Sequence, residues 1–248
     1  MKANSFLNPI YNLLFVSILL CPLLLNSQNS HESSLQYIID STKKIYGSSE
    51  LLVNGPLYFQ PKSEANGSPF LYDGEFIDGS VYTGETEFKN SILNYDISTQ
   101  KLLLLITTSS DARRIISLSD VLIDSFMFSQ QLFVNPDKIG LQSNYSYLHS
   151  INNGYYSMYI GYSKDFINRY NNINPYGKYS STKRSIFVLY EGSLIQINSK
   201  KTFLNLFPGI RKDVSTFLRK NKIKFAKASA TQLSLLMEFI NERHNKRQ

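Results

Sequence analysis

The sequence predicts an α+β protein: an antiparallel, curved β-sheet with an N-terminal helix and a C-terminal helical hairpin. Three observations predict it. Short β-prone runs separated by turn residues fill the middle of the chain, helical periodicity marks residues 33–45, and amphipathic stripes recur after residue 199. The chain divides accordingly into a signal peptide over 1–27, a helix plus β-rich domain over 28–198, and a basic helical segment over 199–248 packed on the sheet.

The first segment is an address. Lys2 is the only charge before His31, and Leu13 to Leu25 is apolar but for Ser17. Ser27 follows, a small residue suited to the position before a cut. This is the three-part layout of a secretory signal peptide, with cleavage placed between Ser27 and Gln28. A membrane anchor needs roughly 20 apolar residues, and this run is shorter. A lipoprotein signal would use Cys21, but Leu20 stands where a small residue belongs. The destination is the periplasm, the outer membrane or the extracellular space. No second long apolar segment follows.

Cys21 is the only cysteine, so the processed chain has none. That excludes a disulfide, a zinc–thiolate site or a cysteine nucleophile there. The remaining chain is long enough to bury a core without crosslinks.

Ser33 to Ile45 reads as an amphipathic helix with Leu35, Ile38, Ile39 and Ile45 near helical spacing. Lys43 and Lys44 suit its C-terminal end, and Gly47 stops it. Leu51 to Val53, Asn54-Gly55 and Leu57 to Phe59 then read as strand, tight turn and strand. From Phe70 to Phe133, short strands alternate with Gly74, Gly79, Gly84 and Ser98-Thr99, a pattern of an antiparallel meander. The candidates are Val81 to Thr83, Glu87-Phe88, Ile92 to Tyr95, Lys101 to Ile106 and Val121 to Phe128. Leu102 to Ile106 is continuously apolar, which predicts burial on both faces or cover by a helix. Asn135 to Tyr190 holds ten of the seventeen tyrosines. Within it Tyr155 to Tyr162 and Ser185 to Tyr190 read as strands, and Asn168 to Arg184 as a long polar loop. Glu191-Gly192 turns the chain into a last strand, Ser193 to Ile197.

The tail is helical. Lys201 to Phe207 is a short helix closed by Pro208-Gly209. Ile210, Val214, Phe217 and Leu218 stripe the next, with Asn221 capping its end. The last opens with the Ser229/Gln232 capping box and carries Leu233, Leu236, Met237 and Ile240.

The runs Leu51 to Gly55, Ser68 to Phe70, Gly79 to Tyr82, Leu93 to Asp96 and Lys101 to Leu104 resemble those of a family of secreted Bacteroidota proteins with no established activity. Phe207-Pro208, Val214 to Asn221 and Leu233 to Ile240 resemble the helical ending of the same family. The resemblance implies an exported envelope protein of a diderm bacterium. Its motifs are structural, and it carries over no catalytic residues.

Catalytic vocabulary is sparse. Of His31, His149 and His244, only His149 falls in a structured context, and no Gly-x-Ser-x-Gly elbow accompanies it. Asp73, Glu75, Asp78, Glu85 and Glu87 offer carboxylates for a hydrolase, which needs two of them about 5–10 Å apart. The turn composition around them favours solvated hairpin turns. No phosphate loop or dinucleotide fingerprint is present. No catalytic residue, cofactor or metal is therefore assigned. The tyrosine-rich section offers flat amphipathic rings for a partner, or good strand residues for a half-buried sheet.

Charge is uneven. The whole chain carries +7, with 26 Lys+Arg against 19 Asp+Glu. Residues 199–248 hold twelve of those cations and three of those acids. Lys212, Arg219, Lys220, Lys222, Lys224 and Lys227 form the candidate partner-binding set, directed at an envelope protein or an anionic surface component. Export makes nucleic acid an unsuitable partner. The reading is a non-enzymatic envelope protein that binds a protein or surface component. A carrier holding an apolar ligand under the curved sheet is the alternative, and a carboxylate-dependent hydrolase the third. Mass spectrometry of protein exported by its native host should show loss of about the first 27 residues; an intact amino terminus would refute the signal.

Overall fold

The computed structural model describes Leu52, residues 54–107 and residues 111–246. The signal peptide and the helix expected over 33–45 lie outside the described residues. Among the described residues there are twelve strands: β1 (Ile77–Thr83), β2 (Thr86–Asp96), β3 (Lys101–Thr107), β4 (Arg113–Ser117), β5 (Ser125–Phe128), β6 (Gln131–Val134), β7 (Leu148–Ser150), β8 (Ser157–Ser163), β9 (Phe166–Ile167), β10 (Lys178–Tyr179), β11 (Lys183–Tyr190) and β12 (Ser193–Ile197). Three α-helices follow: α1 (Lys200–Leu206), α2 (Arg211–Lys220) and α3 (Ala230–Asn245). Ten strands form one open antiparallel sheet in the order β12-β11-β8-β7-β6-β5-β1-β2-β3-β4, and β9 and β10 pair separately. The protein is α+β with β dominant.

Local chemistry explains the turns. Ser129 and Gln130 both hold positive φ between β5 and β6, as do Glu191 and Gly192 between β11 and β12. Two such residues give the turn whose twist suits a two-residue hairpin. Asp96 ends β2 fully buried. Its carboxylate accepts from Ser98 N, Thr99 N, Thr99 Oγ1 and Tyr58 Oη at 2.7–2.9 Å. Four donors satisfy a charge that burial would otherwise make costly.

Several sequence expectations need correction. Leu51 and Val53, of the first strand expected before Asn54-Gly55, lie outside the described residues. Leu57, of the second, bridges Ile116, with Tyr58 N donating to Ile115 O and Ser117 N to Pro56 O. Pro56 to Tyr58 therefore pairs along the outer edge of β4. Gly55 permits the approach, because a Cβ there would lie 2.4 Å from Ser117 O. The simple meander is also broken. After β4 the chain returns, and β5 pairs with β1. Val121 to Asp124 belongs to that return rather than to a strand, leaving Val121 and Leu122 exposed. β4, β6 and β7 lacked a clear apolar pattern, and the polar loop over 168–184 contains β10 and the start of β11.

Cross-strand register puts one buried row across the sheet. Ile160 pairs with His149, His149 with Phe133, Phe133 with Phe126, Phe126 with Val81 and Val81 with Phe88. Paired residues share a face, so these side chains project together. The sheet curls around this face. Lys164 N donates to Ile97 O, and Gln100 Nε2 donates to both Ile97 O and Tyr162 O. β8 and β2 are five places apart in the sheet order. A flat sheet would hold them roughly 24 Å apart; curling brings the end of β8 against the β2–β3 turn. The sheet stays open, but this seam nearly closes it.

Inside the curl lie Tyr95, Phe126, Phe133 and Tyr147. Phe126 and Phe133 stack at 4.8 Å, and Tyr147 meets Phe126 edge-on at 5.0 Å. Residues 118–124 cross the same face diagonally. Leu118 N donates to Leu102 O near the start of β3, and Asp124 N to Tyr82 O near the end of β1. β1 and β3 run in one direction, so these anchors lie at opposite ends of the sheet. Leu118 and Ile123 are buried in the aromatic core. Asn135 Nδ2 holds the crossover by donating to Asp120 O and Ile123 O, both at 2.9 Å.

The helices cover the rest of the face, over β8, β11 and β12. Met158, Ile160, Ile186, Val188 and Ile197 pack with Phe203, Val214, Leu218, Leu233, Leu236, Met237 and Ile240. Ser229 and Gln232 make both bonds of the capping box that opens α3. Near its far end, Asn241 accepts from Tyr156 N at 2.9 Å and donates to Tyr156 O at 3.1 Å. This side-chain amide copies a strand neighbour. Leu236→Ala should cost roughly 2–5 kcal/mol by leaving a cavity under α3. A chemical-denaturation midpoint equal to the parent's would refute that docking.

Candidate functional site

The strongest chemical feature lies on the outer side of α1 and α2. Ser199 caps α1 by accepting from Thr202 N. Lys212, Ser215, Thr216 and Arg219 recur at i, i+3, i+4 and i+7 and so share one face of α2. Val214 and Leu218 are buried, which holds the helix to the core. Asn221 then ends α2 as the sequence predicts, its Nδ2 donating to Phe217 O at 2.9 Å. Lys222 takes φ 53°, and Ile223 N donates back to Leu218 O. The reversal buries Ile223 and leaves Lys222 and Lys224 exposed on either side of it.

The result is an open groove of about 830 Å³. Lys200, Lys212, Arg219, Lys222 and Lys224 line it, with the Ser215 and Thr216 hydroxyls between them. Leu218 and Ile223 contribute to its floor. Its lining contains no carboxylate. Among the described residues, none of these five cations has an acidic group within ion-pair distance. Four of the six expected cations thus meet in one groove. Lys220 and Lys227 are exposed but lie outside its lining. Lys200 joins from α1, and no spacing in the sequence announces it; only the packing of α1 against α2 brings it there. Ammonium groups and a guanidinium are donors of the kind that phosphate or carboxylate oxygens accept from.

Two of the candidate carboxylates are in ion pairs. Asp73 precedes β1 and pairs with Lys164, whereas Glu87 lies beyond the β1–β2 turn and pairs with Lys89. Glu87 also accepts from Tyr82 Oη. In the tyrosine-rich section Tyr147, Tyr159 and Tyr179 are buried, while Tyr155, Tyr170 and Tyr176 are exposed. Burial pushes the phenols of Tyr147 and Tyr159 up, as for rings that serve packing. Among the described residues, no group of three or more His, Cys, Asp or Glu is placed to hold a metal ion. Among them, too, no helix is long and apolar enough to cross a membrane.

Comparison of the chain with known protein families, curated proteins and solved structures gives no match.

His149 sits in β7, buried between aromatic rings. It stacks on Phe133 at 5.1 Å, and its Nδ1 lies 3.1 Å from the Tyr162 hydroxyl. Burial, reinforced by the Arg184 charge, pushes its pKa down from 6.5 to about 4. Between these values the unfolded chain takes up a proton that the folded protein refuses. Stability should therefore fall as pH drops from about 6.5 to about 4, by roughly 3 kcal/mol at about 1.4 kcal/mol per pH unit. Urea midpoints measured across this window should show the fall, and His149→Phe should flatten it. An equally steep fall in that variant would assign it to other groups.

Proposed function

We propose that this chain is an exported, non-enzymatic envelope protein whose helical cap binds an anionic surface component. The observation that carries the reading is the groove of Lys200, Lys212, Arg219, Lys222 and Lys224, whose lining holds five cations and no carboxylate. The apolar run of Leu13 to Leu25 supports export. The aromatic filling of the curl favours this reading over an apolar carrier. Phe126, Phe128, Phe133, Tyr95 and Tyr147 occupy the space beneath the sheet that a carried ligand would need.

The ligand is a surface polymer or lipid bearing phosphate or carboxylate groups, held by Coulomb attraction at an exposed site. Such attraction weakens as the screening length shrinks from about 10 Å at 0.1 M salt to about 3 Å at 1 M. Capture of envelope components by the processed protein should fall over that range. Lys212→Gln, Arg219→Gln, Lys222→Gln and Lys224→Gln combined should weaken it about thirtyfold, at roughly 0.5 kcal/mol per exposed contact. The measurement is binding of extracted envelope components, with thermal unfolding as the check on folding. A folded variant that captures the same components as the parent at low salt would sink the assignment.

A further inference from the structure

A second groove lies on the opposite side of the sheet from the aromatic core, at the seam where the end of β8 meets the β2–β3 turn. Its volume is about 630 Å³, within the range of small-ligand sites, about 300–1,000 Å³. Its chemistry differs from that of the cationic groove. Tyr145 and Phe187 supply aromatic surface, and Gln142, Asn144 and Gln196 supply exposed amides. Among the described residues these three amides have no side-chain hydrogen bond, and so remain available to a ligand.

The groove's charges are already matched. Lys164 Nζ is buried and donates to Phe70 O at 2.7 Å and to Asp73 Oδ1 at 3.2 Å. Asp165 is paired with Lys183. What remains for a ligand is neutral.

The aromatic platform is held in place without one. The Tyr145 ring lies over Gly161, where a Cβ would come 2.7 Å from the ring carbons. Its hydroxyl donates to Ser185 Oγ at 2.8 Å, and Phe187 meets the ring edge-on at 5.9 Å. The ring needs no reordering when a ligand arrives, which removes part of the entropic cost of binding.

We propose that this seam groove binds a neutral oligosaccharide. A sugar ring has an apolar C–H face for Tyr145 and a rim of hydroxyls. Each hydroxyl both donates and accepts, and each amide offers both partners. An anion would find no free cation here. A wholly apolar ligand would bury the amides without partners, which is costly. The proposal is independent of the cationic groove, since the two linings share no residue.

The test is calorimetric titration of the processed protein with three uncharged probes: maltohexaose, cellohexaose and fully N-acetylated chitohexaose. At least one should bind. Gln142→Ala, Asn144→Ala and Gln196→Ala combined should weaken that binding at least about tenfold, since each removes a hydrogen-bonding group, and should leave the thermal midpoint unchanged. Tyr145→Phe keeps the ring and should bind better than Tyr145→Ala. Should Tyr145→Ala unfold, the triple amide variant carries the test, because its three positions are exposed. The glutamine variant of the cationic groove should bind the sugars as the parent does. Failure of all three probes to bind at millimolar concentration, or binding untouched by the triple variant, would overturn the proposal.

Discussion

The buried row Ile160, His149, Phe133, Phe126 and Val81 sets the demand that the rest of the fold meets. A ten-stranded sheet must cover the face that carries this row along its whole width. Two devices do so. Over β1 to β7 the sheet curls and the diagonal crossover fills the hollow, so aromatic rings meet one another. Over β8, β11 and β12 the three helices take over. Tyr162 packs against both groups of buried residues, so the two coverings meet there. His149 lies in the same row, which is why the one histidine that looked chemically interesting is a packing residue.

The seam and the helical cap also explain where recognition chemistry can sit. A helix anchored by Val214 and Leu218 can afford a dense row of cations on its other side, because the apolar contacts offset their mutual repulsion. The outer surface near Tyr145 has a different origin. There the curl brings together the β2–β3 turn, residues 142–145 and the end of β8, segments far apart in the chain. One groove follows from helix periodicity and the other from sheet curvature.

Those origins decide what was legible in the sequence. The capping box at Ser229 and Gln232, the cap at Asn221, the Glu191-Gly192 turn and strand β12 are local features, and local residue chemistry announces them. Four cations of the helical groove were legible for the same reason, being carried by one helix and the turn after it. Lys200 was not, because tertiary packing alone places it. β4 begins with Arg113-Arg114, whose charges conceal a strand at the rim of the sheet. The partner of Pro56 to Tyr58 in β4 lies about sixty residues away, and no local signal announces it. The amides at Gln142, Asn144 and Gln196 carry no spacing motif; they become neighbours only when the sheet curls.

The amide clamp at Asn241 bears on the order in which the molecule is made. A chain emerging from the ribosome presents its amino-terminal residues first. The apolar side chains of β8, β11 and β12 are then exposed to water until α3, which follows all three in the chain, can lie over them. The earlier half can fill its hollow from its own residues, but the later half cannot. A nascent chain thus keeps a large unsatisfied surface until α3 has been made. Such surface attracts chaperones or other unfolded chains, and loss of even the final turns of α3 would make that temporary exposure permanent.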